Sequence, residues 1–111
     1  MTKDVLLELS KTLNTEYEIG IWIEAMFFMT WQENIEDSSV TYNEDAGQYK
    51  IVIKLKEFNL HTVKKIFGSL VSFIEYQSTF YVREDHEDSF EYYLLSSTDN
   101  KKAFFFHVIF Q

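Results

Sequence analysis

Residues 58–74 constrain the fold of this chain most strongly, because they predict an amphipathic helix in the middle of the sequence. Asn59 is a good N-cap, and Phe58 with Val63 matches the hydrophobic staple that fixes how a chain enters a helix. From Val63 to Ile74 the apolar residues recur at intervals of three and four, which places them on one face of the helix. Such a helix must cover an apolar surface, and the flanking sequences supply one.

The sequences on both sides of this helix alternate between apolar and polar residues, as strands with one buried face do. Residues 49–56 alternate most clearly, with Ile51, Ile53 and Leu55 on one face and lysines on the other. The same reasoning predicts strands at residues 17–31, 40–42, 76–83, 90–97 and 103–110, and a short amphipathic helix at residues 3–14.

Two of these predicted strands are apolar on both faces. Residues 27–31 form either the end of one long strand with a bulge or a buried helical turn that follows a strand, and we favour the strand. Residues 103–110 predict a strand that is central and covered, or one that lies at a subunit interface.

The predicted order of elements is α-β-β-β-α-β-β-β. This order corresponds to an α+β domain with two helices packed on a largely antiparallel six-stranded sheet. The halves, residues 1–57 and 58–111, share the pattern without clear residue identities, so a pseudo-repeat is one interpretation. The chain has 111 residues, three glycines and no proline, so it contains no linker of the usual composition, and we expect a single domain over residues 1–111.

The charge balance favours some partners and excludes others. Asp and Glu outnumber Lys and Arg by 18 to 10, which gives a net charge of -8, and 18% of the residues are aromatic. This composition is typical of a folded acidic domain, which repels nucleic acid and membranes and favours basic partners. A secretory signal, an apolar run of about 20 residues and cysteine are all missing from the sequence. We therefore expect a soluble, cytoplasmic protein with no direct nucleic-acid or membrane binding.

The residues that commonly catalyse reactions form no recognisable motif. The sequence lacks the glycine-rich nucleotide loops, the nucleophile elbow and the zinc-protease motif, so we predict neither enzymatic activity nor a cofactor.

The histidines raise the question of a metal site. His86 lies in the acidic run of residues 84–88, whose oxygens with one imidazole could hold a divalent cation. The run lacks the spacing of a calcium loop, so we predict a solvated turn and no metal site. His107 lies among phenylalanines and is predicted to be a buried, hydrogen-bonded core residue, and Glu91 is predicted to face solvent.

The acidic residues are concentrated at the predicted breaks between elements. One cluster comprises Glu33, Glu36 and Asp37. The second cluster comprises Glu84, Asp85, Glu87, Asp88 and Glu91. If the two halves are arranged alike, both clusters lie at one end of the sheet, where they would attract a basic partner. The nearby Trp31 and Tyr81 belong to residue types that are enriched at binding hot spots.

These features predict a small acidic inhibitor, monomeric or homodimeric, that binds and neutralises a basic protein. A bacterial immunity protein that blocks a nuclease-type toxin domain fits best, because such proteins are numerous and diverse in sequence. The first alternative is a phage-encoded inhibitor of a host defence nuclease, of the anti-CRISPR or anti-restriction type, whose carboxylates replace phosphates. The second is a dimeric adaptor similar to secretion chaperones, although those typically end on a helix and this chain ends on a predicted strand. The third is a small-ligand barrel lined by phenylalanines.

Overall fold

The structure, a computed structural model, describes residues 23–43, 45, 48–74, 78–97 and 103–111, with only the backbone at residues 78, 79, 97, 103 and 104. A π-helical turn, Ile23–Phe27, runs directly into an α-helical turn, α1, at Phe28–Thr30. The remaining elements are β1 (Ile35–Asn43), β2 (Gln48–Leu55), α2 (Leu60–Ile74), β3 (Ser78–Asp85), β4 (Phe90–Ser97) and β5 (Ala103–Phe110). The helix predicted at residues 3–14 and the start of the strand predicted at residues 17–31 lie outside the described residues.

The strands form one mixed sheet in the order β1-β2-β5-β4-β3. The pairs β1–β2, β4–β5 and β3–β4 are antiparallel, and β2–β5 is parallel. The chain leaves β2, crosses over through α2, forms β3 and β4 at the far edge, and returns to the centre as β5. The prediction of an α+β domain is therefore confirmed, and three of the four strand pairs are antiparallel as expected. The described residues contain five strands instead of six, in the order α-β-β-α-β-β-β instead of the predicted α-β-β-β-α-β-β-β.

The strand predicted at residues 17–31 is wrong over residues 23–30, which are helical. Burial explains the difference, since Ile23, Phe27 and Phe28 are buried while the three residues between Ile23 and Phe27 are exposed. Residues four apart meet on one side of a helical turn, so a short helix can bury these side chains together. Phe27 packs on Phe73 of α2, with 5.8 Å between the ring centroids.

The first strand of the sheet begins earlier than predicted, at Ile35 instead of Val40. β1 lies at the edge of the sheet and is mostly exposed, so it tolerates the polar residues that made residues 34–39 resemble a break.

The core lies between α2 and one face of the sheet, which we call the helix face. The apolar stripe of α2 packs there as predicted, with Val63, Ile66 and Leu70 fully buried. The buried strand residues of this core are Ile35, Tyr49, Ile51, Ile53, Leu55, Tyr92, Leu94, Phe106, Val108 and Phe110. The central position of β5 explains why residues 103–110 are apolar on both faces.

The opposite side of the sheet, which we call the second face, is more polar. Its central strands carry a smaller apolar cluster, comprising Tyr93, Leu95 and Phe105 with Val82 beside it. Alternation along β4 and β5 places Glu91 and His107 on this face. His107 is therefore only half-buried and lies outside the core beneath α2, which corrects the prediction that it is a buried core residue.

Among the described residues, no helix combines the length and the apolar composition that crossing a membrane requires.

Candidate functional site

Both acidic clusters lie at the same end of the sheet, which we call the acidic end. The pairs Ile35–Leu55, Ile53–Phe110, Phe90–Phe110 and Asp85–Phe90 align the start of β1 with the end of β3 through the three strands between them. The described acidic residues there are Glu33, Glu36, Asp37, Glu57, Glu84, Asp85, Glu87, Asp88 and Glu91, and the described basic residues are Lys54, Lys56 and Arg83.

The shared end does not come from a repeat. The two clusters sit on opposite edge strands, β1 and β3, which are four strand spacings or roughly 19 Å apart. In the described residues, β5 inserts between β2 and β4, so the two halves are not arranged alike. The acidic end therefore presents two separate charged patches.

The first patch borders a shallow groove of about 290 Å³. Phe28, Met29 and Ile35 give it apolar walls, and Glu36 and Asp37 add carboxylates. We call it the methionine groove, and its full lining is Glu24, Phe28, Met29, Gln32, Ile35, Glu36, Asp37 and Ser38.

Met29 lines this groove, and Met26 precedes Met29 by three residues, about one helical turn. The exposed fractions of Met26 and Met29 are 58% and 67%. Glu36 lies 3.9 Å from Nζ of Lys54, and because both side chains are more than half exposed, water screens the attraction. The groove therefore combines flexible apolar side chains with exposed carboxylates.

Trp31 anchors the chain beside this groove. Its indole Nε1 donates a hydrogen bond to Oγ of Ser69 on α2 at 3.1 Å, and its ring packs against the core. The structure thus gives Trp31 a clear packing role next to the first patch.

The second patch is the turn between β3 and β4. The backbone N–H of His86 donates to the carbonyl of Ser89 at 2.9 Å and closes the turn. Asp85 pairs with Arg83 at 2.8 Å, whereas Glu87 and Asp88 are exposed at the tip. The tip therefore carries two carboxylates that project into solvent.

Behind the turn, four side chains converge on the second face, and we call them the Glu91 cluster: Glu84, His86, Glu91 and His107. Oε1 of Glu91 lies 2.8 Å from Nε2 of His107, and its other oxygen, Oε2, contacts Nε2 of His86. Oε2 of Glu84, the cross-strand neighbour of Glu91, lies 3.7 Å from the same nitrogen of His86. The side chain of Glu91 is only 17% exposed, so the prediction that it faces solvent is wrong.

The surroundings of Glu91 favour its charged form. Burial by itself would raise the pKa of this carboxyl, but the hydrogen bond and charge of His107, followed by those of His86, outweigh burial and lower the pKa below its ordinary value. The ring of Tyr93 stacks on His107 with centroids 4.5 Å apart and planes 15° apart, which holds the imidazole in place.

A third feature, a cleft of about 430 Å³, lies between α2 and the edge of the sheet on the helix face. Phe67, Tyr81 and Tyr92 line it, and Lys64 and Arg83 make it basic. Tyr81, which we predicted as part of the acidic partner site, is 56% exposed here and packs edge-on against Phe67 at 5.0 Å. It therefore belongs to a surface of different charge from the acidic turn.

The convergence of Glu91 with the two histidines was not predicted from the sequence. A signal was present, because Glu91 and His107 are isolated polar residues on otherwise apolar strand faces, and a partly buried polar side chain needs a partner. Only the pairing of β4 with β5 shows that Glu91 and His107 are partners of one another.

Comparisons of this chain with protein-family models, with curated proteins and with solved structures find no match.

Proposed function

We propose that this protein is a non-enzymatic binding protein that neutralises a basic partner through its acidic end. The observation that carries the proposal is the strand register, which brings two acidic clusters from distant parts of the sequence to one end of the sheet. The class of protein that fits best is a bacterial immunity protein, and the class of partner is a nuclease-type toxin domain with a basic surface for phosphates.

The charges at this end suit long-range attraction. Glu33, Asp37, Glu87 and Asp88 are exposed, so their carboxylates face solvent and their field extends outward from this end. At physiological ionic strength charges are screened beyond about 8 Å, so the two patches, roughly 19 Å apart, act separately. A partner with two basic regions at this spacing would satisfy both patches.

The methionine groove supplies apolar contact area, which the exposed charges do not provide. Exposed carboxylates mainly raise the association rate, whereas affinity depends on apolar contacts that lose their water. Met26 and Met29 are flexible and polarisable, so they adapt to the apolar side chains of a partner. Binding at the groove would thus hold a partner that the carboxylates attract.

The test begins with a pull-down from native lysate at low and high salt, followed by mass spectrometry. The captured protein is then purified, and its association rate with the wild type and with the double variant Glu87→Lys/Asp88→Lys is measured. We expect a single basic protein whose association slows at least tenfold in the variant. If the captured partner associates with the double variant as fast as with the wild type, the turn between β3 and β4 does not attract the partner. The identity of the partner separates toxin immunity from inhibition of a defence nuclease by a phage protein.

One observation favours a second candidate, the dimeric adaptor. β3 is an edge strand, and Phe80 and Tyr81 on its two faces are 50% and 56% exposed. An exposed apolar edge can pair with the same strand of a second copy. Sedimentation equilibrium of the wild type and of Phe80→Lys tests this candidate, since a dimer through β3 would dissociate in the variant and a monomer would be unaffected.

A further inference from the structure

We propose that Glu84, His86, Glu91 and His107 form a binding site for a divalent transition-metal ion, with zinc as the best match. Three elements build the site: the end of β3 with its turn carries Glu84 and His86, β4 carries Glu91, and β5 carries His107. The inference concerns the isolated protein and does not depend on the proposed basic partner.

The geometry of the donor atoms is close to that of a metal centre. One ligand atom from each of Glu84, His86 and Glu91 lies within 4.8 Å of the other two. Nε2 of His107 lies 2.8 Å from Oε1 of Glu91 on the other side of the same carboxylate. Zinc–ligand bonds of about 2.0–2.2 Å in a tetrahedron place the ligand atoms about 3.3–3.6 Å apart. The ligand atoms of Glu84, His86 and Glu91 are therefore close enough together to share one ion, and His107 lies beside them as a source of a second imidazole.

The chemistry of the donors selects the type of metal. Calcium and magnesium prefer sites made only of oxygen ligands, whereas imidazole nitrogens suit zinc and its neighbours in the first transition series. Two neutral imidazoles and two carboxylates carry two negative charges, which match the two positive charges of the ion.

The surroundings hold the donors and leave a path for the ion. Tyr93 stacks on His107, and the backbone bond from His86 to Ser89 closes the turn that carries the other imidazole. Glu91 and His107 are the inner donors, with 17% and 24% of their side chains exposed, while Glu84 and His86 are more open. The ion can enter from this outer side, and it would tie the acidic turn to the central strand β5.

The same contacts also describe a plain hydrogen-bond network, in which a carboxylate accepts from two imidazoles. A network of this kind binds no metal, so direct binding measurements separate the two interpretations. His61 gives a matched control, because it is the one histidine outside the cluster, and it is exposed on the first turn of α2.

The experiment is calorimetric titration of the chelator-treated, full-length protein with zinc, and with calcium for comparison. We expect one zinc ion per chain, no heat with calcium, and an affinity that falls at least tenfold in His107→Ala and in Glu84→Gln, with no change in His61→Ala. Cobalt(II) should give the strong visible absorption of a tetrahedral site in the wild type and lose it in His107→Ala.

Three outcomes would overturn the proposal: no zinc binding by the wild type, equal binding of calcium, or zinc binding that His107→Ala and Glu84→Gln leave unchanged. Circular dichroism of each variant checks that it is folded, and Glu84→Gln keeps the test decisive if His107→Ala unfolds, since Glu84 is the less buried donor. Failure of zinc binding would not overturn the proposed partner binding, because the test of that proposal changes only Glu87 and Asp88 and measures an association rate.

Discussion

The two faces of β4 and β5 differ in what they bury. On the helix face, Leu94, Phe106 and Val108 are fully buried beneath α2 in a continuous apolar core. On the second face, one residue along each strand, Glu91 and His107 contact each other beside a much smaller apolar cluster. Among the described residues the larger apolar core therefore lies on the helix face, and the second face can carry polar chemistry at a lower cost to folding.

The largest expected effect comes from a pair of adjacent leucines on opposite faces. Leu94→Ala should destabilise the protein by about 3–5 kcal/mol, because it opens a cavity inside the large core, whereas Leu95→Ala should cost about 2 kcal/mol in the smaller cluster. Urea unfolding of both variants measures the difference. Equal losses would show that the second face is as much a core as the helix face.

The next effect concerns the polar contact on the second face. Glu91→Gln replaces a carboxylate that meets two imidazoles, and we expect a loss of about 1–3 kcal/mol in the free energy of unfolding of metal-free protein. Glu57→Gln, an exposed acidic residue at the same end, should change it by less than about 0.5 kcal/mol. If the two variants behave alike, the Glu91 cluster contributes nothing to folding.

A smaller effect is expected on the rate of partner binding, when the same charge change is made at each end of the sheet. Asp88→Lys at the tip of the acidic turn should slow association with the basic partner several-fold at low salt, and added salt should remove the difference. Asp45→Lys makes the same change of charge in the turn between β1 and β2, at the opposite end, and should have little effect. Stopped-flow kinetics at several salt concentrations measures both, and equal slowing would mean that only the net charge matters.

The smallest expected effect is a gain in stability on the helix face. Gly68 is exposed within α2, and a Cβ added there would have no heavy atom within 4 Å. Gly68→Ala should therefore stabilise the protein by about 0.5–1 kcal/mol, because alanine loses less conformational freedom in a helix. Thermal unfolding checks this, and a lower Tm would show that the structure requires a residue without a side chain at this position beside the cleft.

Local patterns were sufficient for the elements whose burial follows a single period. The stripe of α2 and the alternation in residues 49–56 predicted both elements within a residue or so, because each has one buried face and one exposed face. The patterns failed at residues 23–30, where the uninterrupted apolar run of residues 25–29 matches neither a helical period nor a strand period. They also failed at the start of β1, where an exposed edge strand needs no apolar residues.

The sequence by itself determined the class of fold, the helix that covers the sheet, the net charge of -8 and the two acidic clusters. Only the tertiary structure decided that β5 returns between β2 and β4, that the clusters occupy opposite edges of one end, and that His86, Glu91 and His107 meet. The physical reason is range: amphipathic periods and charge are properties of neighbouring residues, whereas strand order and side-chain convergence depend on pairings between distant segments, which no local pattern encodes.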